Sequence, residues 1–404
     1  MIGQAGVVQE PAAPAPAGVA ATRQLLVDVS VVAAHDAGTG IQRVVRAVLA
    51  ELQRMRLDGI AVRLVAASAE HGYRVLNDDF LSAGQPLSFD GRPEVVAGPG
   101  DIFLGLDLSA VMLRRHEPQL AAWRAAGASI HVVVYDLLPI LHPRWFRWRT
   151  RRNFRRWLAV VERNAHHVIC ISRSVARDFQ RWNERLRLRR RPKVRVSTLT
   201  LGGDIEASTP SKGIPADAED VLAWMRRRPT VLMVGTIEPR KAYDRAVAAF
   251  QCLWRGSDAA PQLLVVGRPG WKTERLQRRM LELSGGGDFL WLSDASDEYL
   301  NILYQAAAGV LFATRREGFG LPLVEALASR RRVLARDHDA LREIATSAVT
   351  FFKDDSPAAL ADAVEQWLEA ALSTDEGEQE QSPRLWAQTG RDLLALLGLS
   401  ADHS

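Results

Sequence analysis

Val231-Leu232-Met233-Val234-Gly235-Thr236-Ile237-Glu238-Pro239-Arg240-Lys241 is an apolar strand that breaks into a polar, proline-containing turn. The helical stretch Asp244–Trp254 follows, and then a second apolar strand, Leu263–Val266. Strand, amphipathic helix and strand in that order is the pattern of two parallel strands joined by a helical crossover. Read outward from this unit, the alternation continues. Phe289–Leu292, Val310–Ala313, Val333–Ala335 and Val349–Phe352 are further strands, with Leu276–Leu283 a helix among them. Six short strands at this density predict a doubly wound α/β unit. Toward the N-terminus, Leu25–Val32, Ala61–Ala67, Asp101–Leu106, Ile130–Tyr135, Val168–Ile171 and Val194–Leu199 read as a second set of strands. Ile41, Val44, Val45, Val48, Leu49 and Leu52 recur at helical spacing between the first two.

The expected organisation is therefore a tail over 1–20, a first Rossmann-like domain over 21–205, a Gly-, Pro- and Ser-rich linker over 206–229, a second Rossmann-like domain over 230–375 and a final helix over 383–398. The Ala- and Pro-rich tail has no basic start, which predicts disorder and not a signal peptide. At 404 residues, 47% apolar and 25% charged, the chain has a globular composition with room for two or three cores. No apolar run approaches the ~18 residues of a membrane span: Ile130 to Leu141 is broken by Tyr135, Asp136 and Pro139. Cys170 and Cys252 lie in apolar segments and fit buried thiols in a reducing cytoplasm.

A net charge of +5 says little, but its distribution says more. Arg144, Arg147, Arg149, Arg151, Arg152, Arg155 and Arg156 interleave with Trp145, Phe146, Trp148, Phe154 and Trp157. Two readings stand for this run: an anionic membrane surface or polyanion site, or a solvated helix face with some buried rings. The second basic run, Arg181 to Arg195, reads as a solvated loop.

Ligands of open parallel sheets sit at the carboxyl ends of the strands. Three such loops carry unusual chemistry. Gly235 to Lys241 ends in two adjacent cations suited to a diphosphate, and Gly267-Arg268-Pro269-Gly270-Trp271 is a tight turn with a further cation. In Glu317-Gly318-Phe319-Gly320-Leu321-Pro322-Leu323-Val324-Glu325 the glycines permit close backbone approach. Pro322 opens a helix whose first amides form an anion site. Two carboxylates beside such a site must face something other than phosphate, and sugar hydroxyls fit. A capped helix with a dipole-matching glutamate would account for Glu325 alone, but not for Glu317, the glycines and the Arg-Lys pair together. Asp337-His338-Asp339 reads as a helix N-cap, with metal binding as the lesser alternative.

These three loops, in this order, resemble the family 4 retaining glycosyltransferases of GT-B fold. Asp28-Val-Ser, Gly38-Thr-Gly-Ile-Gln-Arg43 and Tyr135-Asp-Leu-Leu-Pro139 are similar to its bacterial polysaccharide-building, mannosyltransferase-like branch. The resemblance implies two facing Rossmann-like domains with a C-terminal helix crossing back to the first. It implies a diphosphate met by Arg240, Lys241 and the amides of Phe319, Gly320 and Leu321, with Gly235, Arg268 and Gly318 beside them. Glu317 would take hydroxyls of the transferred sugar, Glu325 the donor ribose, and Gly38, Thr39 and Gly40 would form the acceptor-side loop. Tyr135 stands where many members have His, so Asp136 inherits only part of that pair's role. Thr236 replaces a frequent Arg, whose place Arg240 would take.

The expected activity is metal-independent transfer of a hexose, mannose favoured, from a nucleotide-diphosphate sugar such as GDP-mannose to a saccharide or polyprenyl-linked acceptor. No cofactor and no nucleic acid are expected, and the expected location is the cytoplasm, peripheral at the inner membrane face. A sugar-nucleotide-binding pseudoenzyme and a sugar-nucleotide epimerase are the rival readings.

Overall fold

The structure, a computed structural model, describes residues 23–36, 38–77, 87–186, 194–208, 210–284, 287–373 and 384–400. The expected tail over 1–20 and most of the second basic run lie outside the described residues.

Two sheets organise the chain. The first contains β1 (Arg23–Asp28), β2 (Ile60–Ala66), β3 (Arg74–Val75), β4 (Ile102–Gly105), β5 (Ser129–Val134), β6 (His167–Cys170) and β7 (Arg195–Thr198), in the order β3-β2-β1-β4-β5-β6-β7. All neighbours pair parallel except β3, a two-residue antiparallel edge that the sequence pattern did not signal. The second contains β8 (Thr230–Val234), β9 (Gln262–Val266), β10 (Phe289–Leu292), β11 (Gly309–Phe312), β12 (Val333–Arg336) and β13 (Val349–Phe352), all parallel in the order β10-β9-β8-β11-β12-β13. Both orders reverse beside the first strand, so each sheet has a switch point there and a crevice at its carboxyl edge. The β1 and β8 interiors are fully buried apolar runs, as strands covered on both faces must be.

The expected strand Leu25–Val32 is shorter than its apolar run. Asp28 ends it by accepting hydrogen bonds from the N–H of Ser30 at 2.9 Å and its hydroxyl at 2.5 Å, and Ser30–Ala34 coils into a short helix. The stretch between the sheets contains the helix Ala218–Met225, which packs under β8 with Ile205 and Leu232. Asp337 caps nothing: its carboxylate is paired with Arg342 at 2.5 Å, and the short helix Asp339–Arg342 starts without a side-chain cap.

The last helix, Trp386–Leu397, crosses back. Trp386, Leu393, Leu394 and Leu397 are buried in the core of the first unit, and Gly390 lies against Glu51 and Met55 of the helix Gly40–Arg54. The crossing needs Gly202, where an added Cβ would overlap the backbone at Trp386.

Candidate functional site

The site grows from strand ends. β8 stops at Val234, and Gly235 takes φ +133°, a region that side chains resist. The chain then makes a tight turn at Pro239–Lys241. That turn delivers Arg240 and Lys241 onto the loop after β11. Lys241 Nζ lies 2.7 Å from Glu317 Oε1, Arg240 pairs with the other Glu317 oxygen, and the Thr314 hydroxyl donates to Oε1 at 3.0 Å. Arg240 also meets Glu238 Oε1 at 2.7 Å. Burial pushes the Glu317 carboxyl up, but the two cations outweigh it and hold the group at about 2. Glu317 is thus an ionised, largely covered carboxylate, tolerable because it is paired.

The two units meet here. At Gly318 an added Cβ would overlap the Tyr135 carbonyl oxygen and stand 3.1 Å from Asp136 Cβ. Ser172, after β6, donates its hydroxyl to the Gly318 carbonyl at 2.6 Å. Asp136 is thereby brought beside Arg240 and Glu317. Burial raises its carboxyl to about 6 against the pull of Arg240 and a hydrogen bond from the Leu138 N–H. Arg240, Lys241, Glu317 and Asp136 form one cluster across the boundary, with Lys241 buried and the other three half-buried.

Gly320, at φ +113°, caps the helix Leu321–Ala328, in which Pro322 is the second residue. The Phe319 ring is sunk in the first unit's core, so only its backbone can serve a ligand. Arg268 is at the rim, within 3.3 Å of Asp294 and close to Gly38. Gly40 faces Leu321, and Thr39 caps the Gly40 helix through a reciprocal box with Gln42. Gly38 and Gly40 of the first unit therefore lie against Arg268 and Leu321 of the second.

Glu325 is 1% exposed. Tyr304 donates its hydroxyl to Oε2 at 3.0 Å, and Arg43, from the first unit, pairs with Oε1. The sequence pattern singled out Arg43, Glu238 and His338 without placing them in the site, and it missed Tyr304 and Asp297. A charge on the polar side of an amphipathic helix carries no local sign that it crosses to another domain. His338 is buried with neither ring nitrogen partnered among the described residues, and desolvation lowers it to about 4. Among the described residues no group of three or more His, Cys, Asp or Glu is placed to hold a metal ion.

The arginine run resolves into two parts. Phe154 and Trp157 are core residues, and Phe146 packs on Trp271, whose indole N–H donates to the Trp145 carbonyl at 2.7 Å. Trp148 is the exposed ring, at 60%, and it lies beside Arg149 and Arg152 with Arg151, Arg155 and Arg156 also exposed. No described helix is long and apolar enough to cross a membrane.

Residues 217–382 match the family model described as "Glycosyl transferases group 1". The chain is 38% identical over 391 residues to the serotype-specific mannosyltransferase WbdA of Escherichia coli, covering 94% of this chain and 46% of that protein. The chain thus spans about half the length of this relative. O-antigen chain mannosyltransferase B of Escherichia coli is 30% identical over 169 residues, 41% of this chain and 43% of that one. Among solved structures, Anabaena HepE in complex with UDP-glucose superposes with TM-score 0.64 at 16% identity, covering 93% of this chain and 99% of that one. Sucrose-phosphate synthase from Thermosynechococcus elongatus gives 0.62 at 18%, over 93% and 98%. The chain has the GT-B fold, and its second unit, over residues 217–382, belongs to the glycosyl transferases group 1 family.

Proposed function

We propose that the chain is a retaining glycosyltransferase that moves mannose from GDP-mannose to a hydroxyl of a saccharide or polyprenyl-linked saccharide during surface polysaccharide synthesis. The observation that carries this reading is the ion-paired Arg240–Lys241–Glu317 cluster at the strand ends, facing Asp136 of the other unit. Mannose is supported by the likeness to WbdA, and polysaccharide by that to O-antigen chain mannosyltransferase B.

In this reading Arg240, Lys241, Gly235 and the amides of Phe319, Gly320 and Leu321 receive the diphosphate, with Arg268 at the rim and Gly318 letting the units approach. Glu317 takes sugar hydroxyls and Glu325 the ribose, while Gly38, Thr39 and Gly40 face the acceptor. The acceptor attacks on the face the diphosphate leaves, and the leaving oxygen accepts its proton. The protein stabilises the charge that develops on the diphosphate with preorganised cations and a helix N-terminus. Arg240 and Lys241 stand in for Mg²⁺, so transfer persists in excess EDTA. Acceptors tethered at the cytoplasmic membrane face are reached by docking through Trp148 and the arginines around it, each basic residue contributing about 1 kcal/mol at an anionic surface.

The test is a thermal-shift panel of GDP-mannose, UDP-glucose and dTDP-sugars, followed by transfer with and without EDTA and NMR of the product's anomeric carbon. Selective stabilisation by GDP-mannose, EDTA-resistant release of GDP and a retained anomer are expected. Binding without turnover would favour a sugar-nucleotide-binding protein, an inverted product would remove the front-face mechanism, and recovery only with Mg²⁺ would remove metal independence. Flotation with anionic and neutral liposomes tests docking; equal behaviour with both would leave the arginines as a solvated face.

A further inference from the structure

Arg43 is the feature that the proposed roles leave unused. It projects from the Gly40 helix of the first unit into the second, where one amino group meets Glu325 Oε1 and the other meets Asp297 Oδ1. Asp297 begins the helix Asp297–Ala306, and its second oxygen accepts the N–H and the hydroxyl of Ser211, both at 2.9 Å. Ser211 belongs to the segment that joins the units. One guanidinium therefore ties the first unit, the connecting segment and two helices of the second unit together.

Both oxygens of Glu325 are occupied, by Arg43 and by the Tyr304 hydroxyl, and the carboxylate is almost wholly covered. A ligand hydroxyl that uses Glu325 therefore has to displace Arg43 or Tyr304, and only Arg43 comes from the facing unit. Asp297 offers Arg43 a second anion that would remain after Glu325 is surrendered, and Arg46 Nη2 lies 4.0 Å from it. Burial pushes the Asp297 carboxyl up, yet Arg43 and the Ser211 hydrogen bonds hold it below its ordinary value, so it stays an anion. A guanidinium is well matched to two carboxylates because its donors form a planar fork.

We propose that Arg43 is a positioning residue that latches the empty cleft: it holds the units together through Glu325 and Asp297, and the ribose hydroxyls of the nucleotide displace it from Glu325, leaving it on Asp297. The inference rests on the reading that Glu325 serves the donor ribose. It makes nucleotide binding and the relative placement of the units one linked equilibrium, in which a ligand shifts the balance only through its preference for one arrangement.

The experiment measures two things on the full chain. Spin labels at Asp58→Cys and Asp258→Cys, both exposed turns on different units, in a Cys252→Ser background, report the distance between units. Calorimetry with GDP reports affinity. Without nucleotide, the wild type should give a narrow distance distribution and Arg43→Ala a broader one. Arg43→Ala should bind GDP more tightly by roughly ten- to a hundredfold, the scale of one charged hydrogen-bond competitor removed. Asp297→Asn, which deprives the displaced Arg43 of its second anion, should bind GDP more weakly. These opposite signs are not what a merely structural role would give, and Arg43→Lys, which reaches one carboxylate at a time, should fall between wild type and Arg43→Ala. A folded Arg43→Ala with the wild-type distance distribution, or with unchanged or weaker GDP binding, overturns the latch. If Glu325→Ala binds GDP as the wild type does while Arg43→Ala still loosens the empty protein, the proposal fails through the donor reading itself.

Discussion

Lys241 sits where a single ammonium does three things: it pairs with Glu317 at 2.7 Å, lies over Gly235, and rests 5.3 Å from the Phe312 ring. Removing it leaves Arg240 alone to balance Glu317 and Glu238, and under the proposed mechanism removes a charge from the diphosphate. Lys241→Ala is expected to lower kcat/KM by about 10²- to 10³-fold, the effect of one lost electrostatic donor, with the fold intact by circular dichroism. Glu325→Ala should weaken GDP-mannose binding or turnover by about tenfold to a few hundredfold, from charged hydrogen bonds worth ~1.5–3 kcal/mol each; wild-type kinetics in a folded variant would remove Glu325 from the site. Gly318→Ala should act differently. Its methyl has to displace the Tyr135 carbonyl, an overpacking cost of about 1–3 kcal/mol, so kcat should fall while GDP affinity changes little. The paired glutamates and the Arg-Lys dipeptide were legible in the sequence because strand-end turns expose their chemistry in a short window. Arg43 was not, because its partners lie far away along the chain.

At the scale of elements, β5 and β6 place His131 opposite His167, with ring centroids 5.3 Å apart. Burial, and for His131 also the neighbouring imidazole, press both down to about 4. The unfolded chain protonates them near 6.5. Between those values the native state binds fewer protons than the unfolded state, so the stability is fully present above about pH 6.5 and is lost as pH falls toward 4. Urea midpoints measured from pH 7.5 to 4.5 should therefore fall, and the His131→Gln, His167→Gln double variant should fall by at least ~1 kcal/mol less over that window. An identical slope would show that the pair is neutral in this balance. The helix Arg173–Leu186 offers a second case. Its first two N–H groups, at Arg173 and Ser174, donate at 2.7 Å to Glu343 of the other unit. Glu343→Ala should cost about 0.5–2 kcal/mol, the range of a lost N-cap, read as a lower melting temperature. The main strands were recoverable from their apolar runs, though Leu25–Val32 overran the true end at Asp28. The helix Ala218–Met225 in the expected linker and the edge strand Arg74–Val75 were not recovered, the latter because two residues carry no period.

For the molecule as a whole, the crossing helix decides whether the first unit is complete. Trp386, Leu393, Leu394 and Leu397 are buried in that unit's core. Each buried side chain of this kind contributes ~1.5–3 kcal/mol, so a chain stopped after Ser373 should lose at least ~5 kcal/mol in the first unit. The expected result is a lower melting temperature and strong binding of an apolar dye; an unchanged first transition would show that the helix is dispensable.

The amino-acid sequence by itself determined the two parallel sheets, the carboxyl-edge loops and the cation–carboxylate pattern at residues 235–241 and 317–325. Those features rest on short-range causes: side-chain periodicity, glycine and proline in turns, and charge adjacent to a strand end. Only the tertiary structure decided that Asp136 joins Glu317, that Glu343 caps a helix of the other unit and that Arg43 closes on Glu325. A charged side chain on the polar face of a helix has the same local pattern whether it meets water or another domain. The difference is burial, and burial is settled by how the two units come together.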